Sequence, residues 1–177
     1  MMRGPTIPAT KQESESPIAV IAHHQTGWPV RVGPIAKDLG IPVKRLSLGS
    51  AVSGQLVRDP KQGGVSGFVI YLNSDLPEVR QKFTLAHELA HYVLHRDLIE
   101  NGVVDDTMYR SDLSSHLEVQ ANQMAADIIM PVRLVRRALQ SENDPRKLAK
   151  MFGVSEQAMK IRLSAMPIPS PNAGAEV

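Results

Sequence analysis

Apolar residues recur at three- and four-residue steps in the middle of the chain, at Val79, Phe83, Ala86, Ala90, Val93 and Leu94. This is the stripe of a core-facing helix. Asn73, Ser74 and Asp75 offer a cap before it, Asp75 and Glu78 have capping-box spacing, and Pro77 suits a first turn. A second stripe, Ala121, Met124, Ala125, Ile128 and Ile129, predicts another helix, stopped by Pro131. Phe68-Val69-Ile70-Tyr71-Leu72 is a short continuous apolar run of strand character leading directly into the first helix. Val43 to Leu48, Gly54 to Arg58 and Gly67 to Asn73 are the strand candidates, separated by turns at Asp59-Pro60 and Gly63-Gly64. Val32 to Leu39 reads as a short helix ended by Gly40, and Pro17 to His24 as a short helix or strand. The expected fold is α+β: a small three-stranded sheet packed on a mainly helical domain.

The polar positions divide the chain further. Residues 1–16 are rich in Pro, Thr, Ser, Glu and Lys and read as a disordered tail. Residues 17–166 form one domain, with Trp28-Pro29 as the expected start of its ordered part and Trp28 as a packing anchor. Val132 to Leu139 continues as a helix beyond Pro131. Within 144–166, two short helices meet at Gly153, with Ser155 as N-cap, in the manner of a helix-turn-helix. Arg162 falls where such a unit wants a buried aliphatic, so these helices are read as completing a core rather than as binding DNA directly. Residues 167–177, rich in Pro and Ala, read as a flexible tail.

The first helix carries His87-Glu88-Leu89-Ala90-His91, a match to H-E-x-x-H. Residues four apart on a helix sit one above the other, so both imidazoles can reach one Zn²⁺ at about 2.0–2.1 Å. Glu88 lies beside the first ligand and is placed to act as general base on an attacking water without taking a coordination position. Zinc at a catalytic site needs a third protein ligand. His95 continues the series, but on a straight helix it stands about 12 Å along the axis from His87, too far for one ion to bridge. It reads as a helix-end residue favoured by the negative end of the helix dipole. The metzincin pattern fails as well, because Val93 and Asp97 stand where it needs Gly and His. Glu118 opens the second helical stripe with Asn122 one turn on, a carboxylate ligand with an amide to orient a neighbouring ligand. Spacing alone leaves Glu118 equally readable as a first-turn acid held by the helix dipole. His23 and His24 lack a spacing partner and read as surface histidines.

The stretch Phe83-Thr84-Leu85-Ala86-His87-Glu88-Leu89-Ala90-His91-Tyr92-Val93-Leu94-His95 resembles the signature of ImmA/IrrE-family metallopeptidases. So do Glu118-x-x-Ala121-Asn122-x-x-Ala125-Ala126-x-x-x-Met130-Pro131 and, more weakly, Phe152-Gly153-Val154-Ser155 with Arg162-Leu163. The departures are Lys82 for an Arg common before the Phe, and Met124 for a common Phe. The resemblance implies a zincin-like plan in which His87, His91 and Glu118 bind zinc and Glu88 is catalytic. It also implies an edge strand beside the metal that takes substrate backbone as an added strand.

Composition narrows the class without changing this picture. A chain of 177 residues with 42% hydrophobic and 21% charged residues is an ordinary one-domain globule. One Trp, three Tyr and three Phe leave the core to aliphatics and eight Met. With no Cys, His and carboxylate are the remaining ligands, suited to Zn²⁺ and also to Mn²⁺ or Fe²⁺. The absence of Cys, of a spanning apolar run and of a secretory h-region leads to the expectation of a cytoplasmic protein with no membrane association. A net charge of +2 is too small to imply nucleic acid, although residues 97–118 carry six acids and one base and residues 131–165 eight bases and three acids. The segment Leu98 to Leu117 joins the two ligand helices and holds Tyr109, Arg110 and His116, each able in principle to stabilise an oxyanion.

The expected function is therefore that of a zinc-dependent endopeptidase. The resemblance implies a substrate class, a helix-turn-helix (Xre-type) transcriptional repressor, cleaved to relieve repression in stress or mobile-element regulation. Two alternatives stand beside it. One is a non-cleaving partner of such a regulator in a toxin–antitoxin-like module. The other is a DNA-binding regulator using the C-terminal helices.

Overall fold

The protein is described by a computed structural model that covers residues 15–100 and 112–166. The tails expected at 1–16 and 167–177 lie outside these residues, apart from Glu15 and Ser16. The elements in order are α1 (Pro17–His24), α2 (Val32–Asp38), β1 (Val43–Leu46), β2 (Gly54–Arg58), β3 (Phe68–Asn73), α3 (Glu78–Glu100), α4 (Asp112–Ile129), α5 (Val132–Leu139), α6 (Pro145–Phe152) and α7 (Glu156–Ala165). A 3-10 turn, Gly64–Ser66, precedes β3. The architecture is the expected α+β one, a three-stranded mixed sheet on a helical body.

The sheet has the order β1-β3-β2, with β1 parallel and β2 antiparallel to the central strand. β3 is central because it is apolar over most of its length: Phe68, Val69, Ile70 and Leu72 are all buried. It turns through Asn73, whose side-chain amide donates to the carbonyls of Gly49 and Val52 and ties the loop after β1 to the strand end. The chain then enters α3. The first helical bonds go to the Pro77 carbonyl, from Arg80 and Gln81. The expected capping box is not used, since the Asp75 carboxylate accepts instead from Ser47 Oγ at 2.5 Å.

α3 is the axis of the fold and packs more extensively on α4 than any other two elements pack together. Small residues allow this: Ala86 and Ala90 on α3 and Ala121 and Ala125 on α4 are fully buried, as are Leu89, Ile128 and Ile129. Both helices are longer than their apolar stripes suggest, so the connection between them spans residues 101–111 rather than Leu98 to Leu117. Order also begins before Trp28. Ser16 caps α1 by accepting from the Ala19 N–H, and Val20 and Ile21 are buried.

The C-terminal helices close the core as expected. Gly153 takes the left-handed conformation (φ 61°) that ends α6, Ser155 Oγ accepts from the Ala158 N–H to start α7, and Leu148, Phe152 and Met159 are buried. Trp28 stacks on Phe152 with ring centroids 5.7 Å apart and is covered by the Arg137 guanidinium, which makes it a packing anchor. Lys82 of α3 donates to the Phe152 carbonyl at 2.6 Å, and burial lowers its pKa. Arg162 explains its own oddity as a core residue: it donates to the Met130 carbonyl at 2.8 Å and to Asp127, fastening α7 to the end of α4. Other cations of this region also have internal partners, Arg146 and Lys160 with Glu156 and Lys147 with Glu142.

Candidate metal centre

Two turns of α3 and the second turn of α4 converge at one place. His87 and His91 lie one turn apart on α3, and their Nε2 atoms are 3.0 Å from each other. Glu118 of α4 reaches both, with one carboxylate oxygen 3.2 Å from His87 Nε2 and the other 3.2 Å from His91 Nε2. Among the described residues these three form the group able to hold a metal ion. Ligand atoms about 2.0–2.1 Å from a tetrahedral centre stand about 3.3 Å apart, close to the observed spacings. The donor set, two imidazoles and a carboxylate, fits Zn²⁺ and other divalent first-row ions. The side chains of His87 and His91 are 17% and 16% exposed and that of Glu118 is 44% exposed, so the centre is open to solvent on the Glu118 side. α4 begins at Asp112, which places Glu118 beyond the first turn and away from the free N–H groups of the helix end.

The far sides of the imidazoles are also held. His87 Nδ1 is 3.1 Å from Asn122 Oδ1, the amide one turn after Glu118. His91 Nδ1 is 3.1 Å from His95 Nδ1, and His95 Nε2 is 3.1 Å from Gln120 Oε1. His95 is therefore no helix-end residue in solvent. It is buried, and it sits behind a candidate ligand rather than on the metal. Burial, reinforced by the neighbouring charges of His87 and His95, lowers the pKa of His91 to about 3, which keeps the ring neutral as a metal ligand must be.

Glu88 is on the same helix and is buried, 7% exposed. Burial, and secondarily the like charge of Glu118, raises its pKa to about 8, while a hydrogen bond from the backbone of Leu56 on β2 acts in the opposite direction. β2 can approach α3 this closely because residue 54 is glycine. A Cβ there would stand 2.5 Å from Thr84 Cγ2 and 3.0 Å from the Tyr71 carbonyl oxygen.

The remaining sequence candidates are distributed as follows. His116 is exposed on α4 and is not part of the group at the site. Tyr109 and Arg110 lie outside the described residues. His23 is exposed and pairs with Glu15, and His24 pairs with Asp38 at 2.7 Å, both away from the centre. Sequence reasoning missed His95 as the partner of His91 and Gln120 as the partner of His95. The signal for His95 was its four-residue step from His91, which places side chains in contact on a helix.

No helix among the described residues is long and apolar enough to cross a membrane. The family model described as Peptidase_M78, IrrE N-terminal-like domain, matches residues 36–164. Metallopeptidase ImmA of Bacillus subtilis (strain 168) is 31% identical over 121 residues, which are 68% of this chain and 64% of that protein. The chain thus spans under two thirds of that relative's length. A solved structure, a Mycobacterium tuberculosis transcriptional regulator, superposes with a TM-score of 0.58 at 22% identity, over 86% of this chain and 48% of that one, and shares the fold. With the motif helix, its partner helix and the three converging side chains inside the matched region, the chain belongs to the ImmA/IrrE family of metallopeptidase-like proteins, the family of the IrrE N-terminal-like domain.

Proposed function

We propose that the chain is a zinc-dependent endopeptidase in which His87, His91 and Glu118 are the metal ligands and Glu88 is the general base. The observation that carries this is the convergence of two Nε2 atoms and one carboxylate within 3.0–3.2 Å, beside a buried acid on the same helix. A divalent cation held there supplies Lewis acidity toward the attacking water and the scissile carbonyl. Glu88 takes the proton from that water and delivers it to the leaving amine.

The edge strand supports a polypeptide substrate. Asn73 N–H donates to the Ser53 carbonyl and Asp59 N–H to the Gly67 carbonyl. In an antiparallel ladder the intervening residues point the other way, so Gly54, Leu56 and Arg58 turn their backbone groups away from β3. The Leu56 N–H meets Glu88, which puts this free edge at the centre. An extended peptide laid along β2 would bring its carbonyl to the ligands.

The substrate proposed is a helix-turn-helix (Xre-type) regulator, cleaved in the cytoplasm to relieve repression of stress or mobile-element genes. Incubating the metal-loaded protein with the regulator encoded beside its gene, with and without a chelator, tests this. Metal-dependent fragments support the peptidase. An intact, stable complex in both arms contradicts it and leaves a non-cleaving, toxin–antitoxin-like partner. Arg162 of the C-terminal helices is committed to the Met130 carbonyl and Asp127, which favours the reading that these helices complete the core.

A further inference from the structure

His91 is supported by a two-residue hydrogen-bond chain, and the atoms admit one proton arrangement when its Nε2 serves as a ligand. A ligating Nε2 leaves the His91 proton on Nδ1, which is 3.1 Å from His95 Nδ1. His95 must accept there, so its own proton sits on Nε2, 3.1 Å from Gln120 Oε1, a carbonyl oxygen that accepts. Every group in the chain is then paired, in keeping with the absence of orphaned buried side-chain polar atoms among the described residues.

We propose that His95 is a positioning residue. With Gln120 behind it, it fixes the tautomer and ring orientation of His91 in the metal centre. This rests on the metal-centre reading above and deepens it. An apolar side chain of similar volume would fill the site without the desolvation that a buried imidazole suffers. His95 is 4% exposed, and both its ring nitrogens are used. The arrangement also gives α4 a larger part than one ligand. Within the stretch Glu118 to Asn122, it supplies the carboxylate, the amide that holds His87 and the amide that terminates the His91 chain. Docking of α4 on α3 therefore assembles the ligand and both orienting groups together.

Metal affinity tests the inference, measured on metal-free protein by competition for Zn²⁺ against a chromophoric chelator, with the visible spectrum of the Co²⁺-loaded protein as a second readout. His95→Phe keeps ring volume and removes the acceptor. It should weaken Zn²⁺ binding by about 10- to 100-fold, the range for loss of a group that orients a metal-bound histidine, and alter the Co²⁺ bands. Gln120→Leu should weaken binding by about 10-fold, and Gln120→Glu, which restores an acceptor for His95, should bind within a few-fold of wild type or tighter. The Gln120 pair decides the matter even if His95→Phe fails to fold. Wild-type affinity and an unchanged Co²⁺ spectrum in both His95→Phe and Gln120→Leu, with His91→Ala losing the metal, would overturn the positioning role and leave the centre intact. A wild-type chain that takes up no Zn²⁺ or Co²⁺ would overturn both.

Discussion

The backbone N–H of Leu56 on the edge strand donates to the carboxylate of Glu88 on the motif helix. One bond thus couples the sheet edge, where a peptide can be added, to the group assigned as base. It also partly offsets the burial that would otherwise push the Glu88 pKa still higher.

Replacing Glu88 by Gln keeps the shape and a carbonyl oxygen for Leu56 but removes proton transfer. The variant should retain wild-type metal content and lose about 10²–10⁴-fold in cleavage rate, measured on the neighbouring regulator. Wild-type cleavage by Glu88→Gln would remove Glu88 from this role.

The two shifted groups set a pH dependence for the stability of the metal-free protein. Glu88, raised from 4.5 to about 8, keeps a proton that the unfolded chain releases. Its contribution is full below pH 4.5 and is lost as pH rises through 8. His91, lowered from 6.5 to about 3, contributes above pH 6.5 and loses that contribution as pH falls through 3. Together they give a plateau between 4.5 and 6.5 and a decline on either side. Urea midpoints should therefore fall from pH 6.5 to 8 in wild type and fall less in Glu88→Gln; equal slopes in the two proteins would show that Glu88 is not the source.

Gly54 should resist even a methyl group. The clash of its Cβ with Thr84 at 2.5 Å forces β2 away from α3. Gly54→Ala should destabilise the protein by about 1–3 kcal/mol in chemical denaturation, the range for overpacking. Thr84→Ser, which deletes the clashing methyl, should recover part of that loss in the double variant. A Gly54→Ala protein as stable as wild type would mean that the strand has room to move.

Arg162→Met should cost about 1.5–3 kcal/mol, because the Met130 carbonyl and Asp127 lose a charged donor, and it should leave metal content unchanged. Paired denaturation and metal analysis check both halves. Unchanged stability would show that Arg162 does not anchor α7.

The ligand helices were legible because their apolar stripes follow helical periodicity and end at recognisable breakers such as Pro131. The edge strand was not, since strand order depends on pairing between distant segments: β3 is central and β2 outermost only once Phe68 to Asn73 is buried from both sides. Glu118 was half legible. Its spacing to Asn122 is local, but its approach to His87 and His91 is set by helix docking through Ala86, Ala90, Ala121 and Ala125. The span between the helices was overestimated because both helices run past the apolar stripes that announced them, α3 as far as Glu100 and α4 from Asp112. His95 was misplaced for a related reason. Axial distance keeps it out of the group formed by His87, His91 and Glu118, but a residue too far to share an ion with His87 can still hold a candidate ligand.

Metal content of the purified chain, measured by elemental mass spectrometry alongside Glu118→Ala, tests the centre most directly. The expected result is about one zinc per wild-type chain, as one three-ligand site requires, and next to none in the folded variant. Zinc retained at the wild-type level in Glu118→Ala, or absent from the wild-type chain after incubation with the ion, would contradict a centre built from His87, His91 and Glu118.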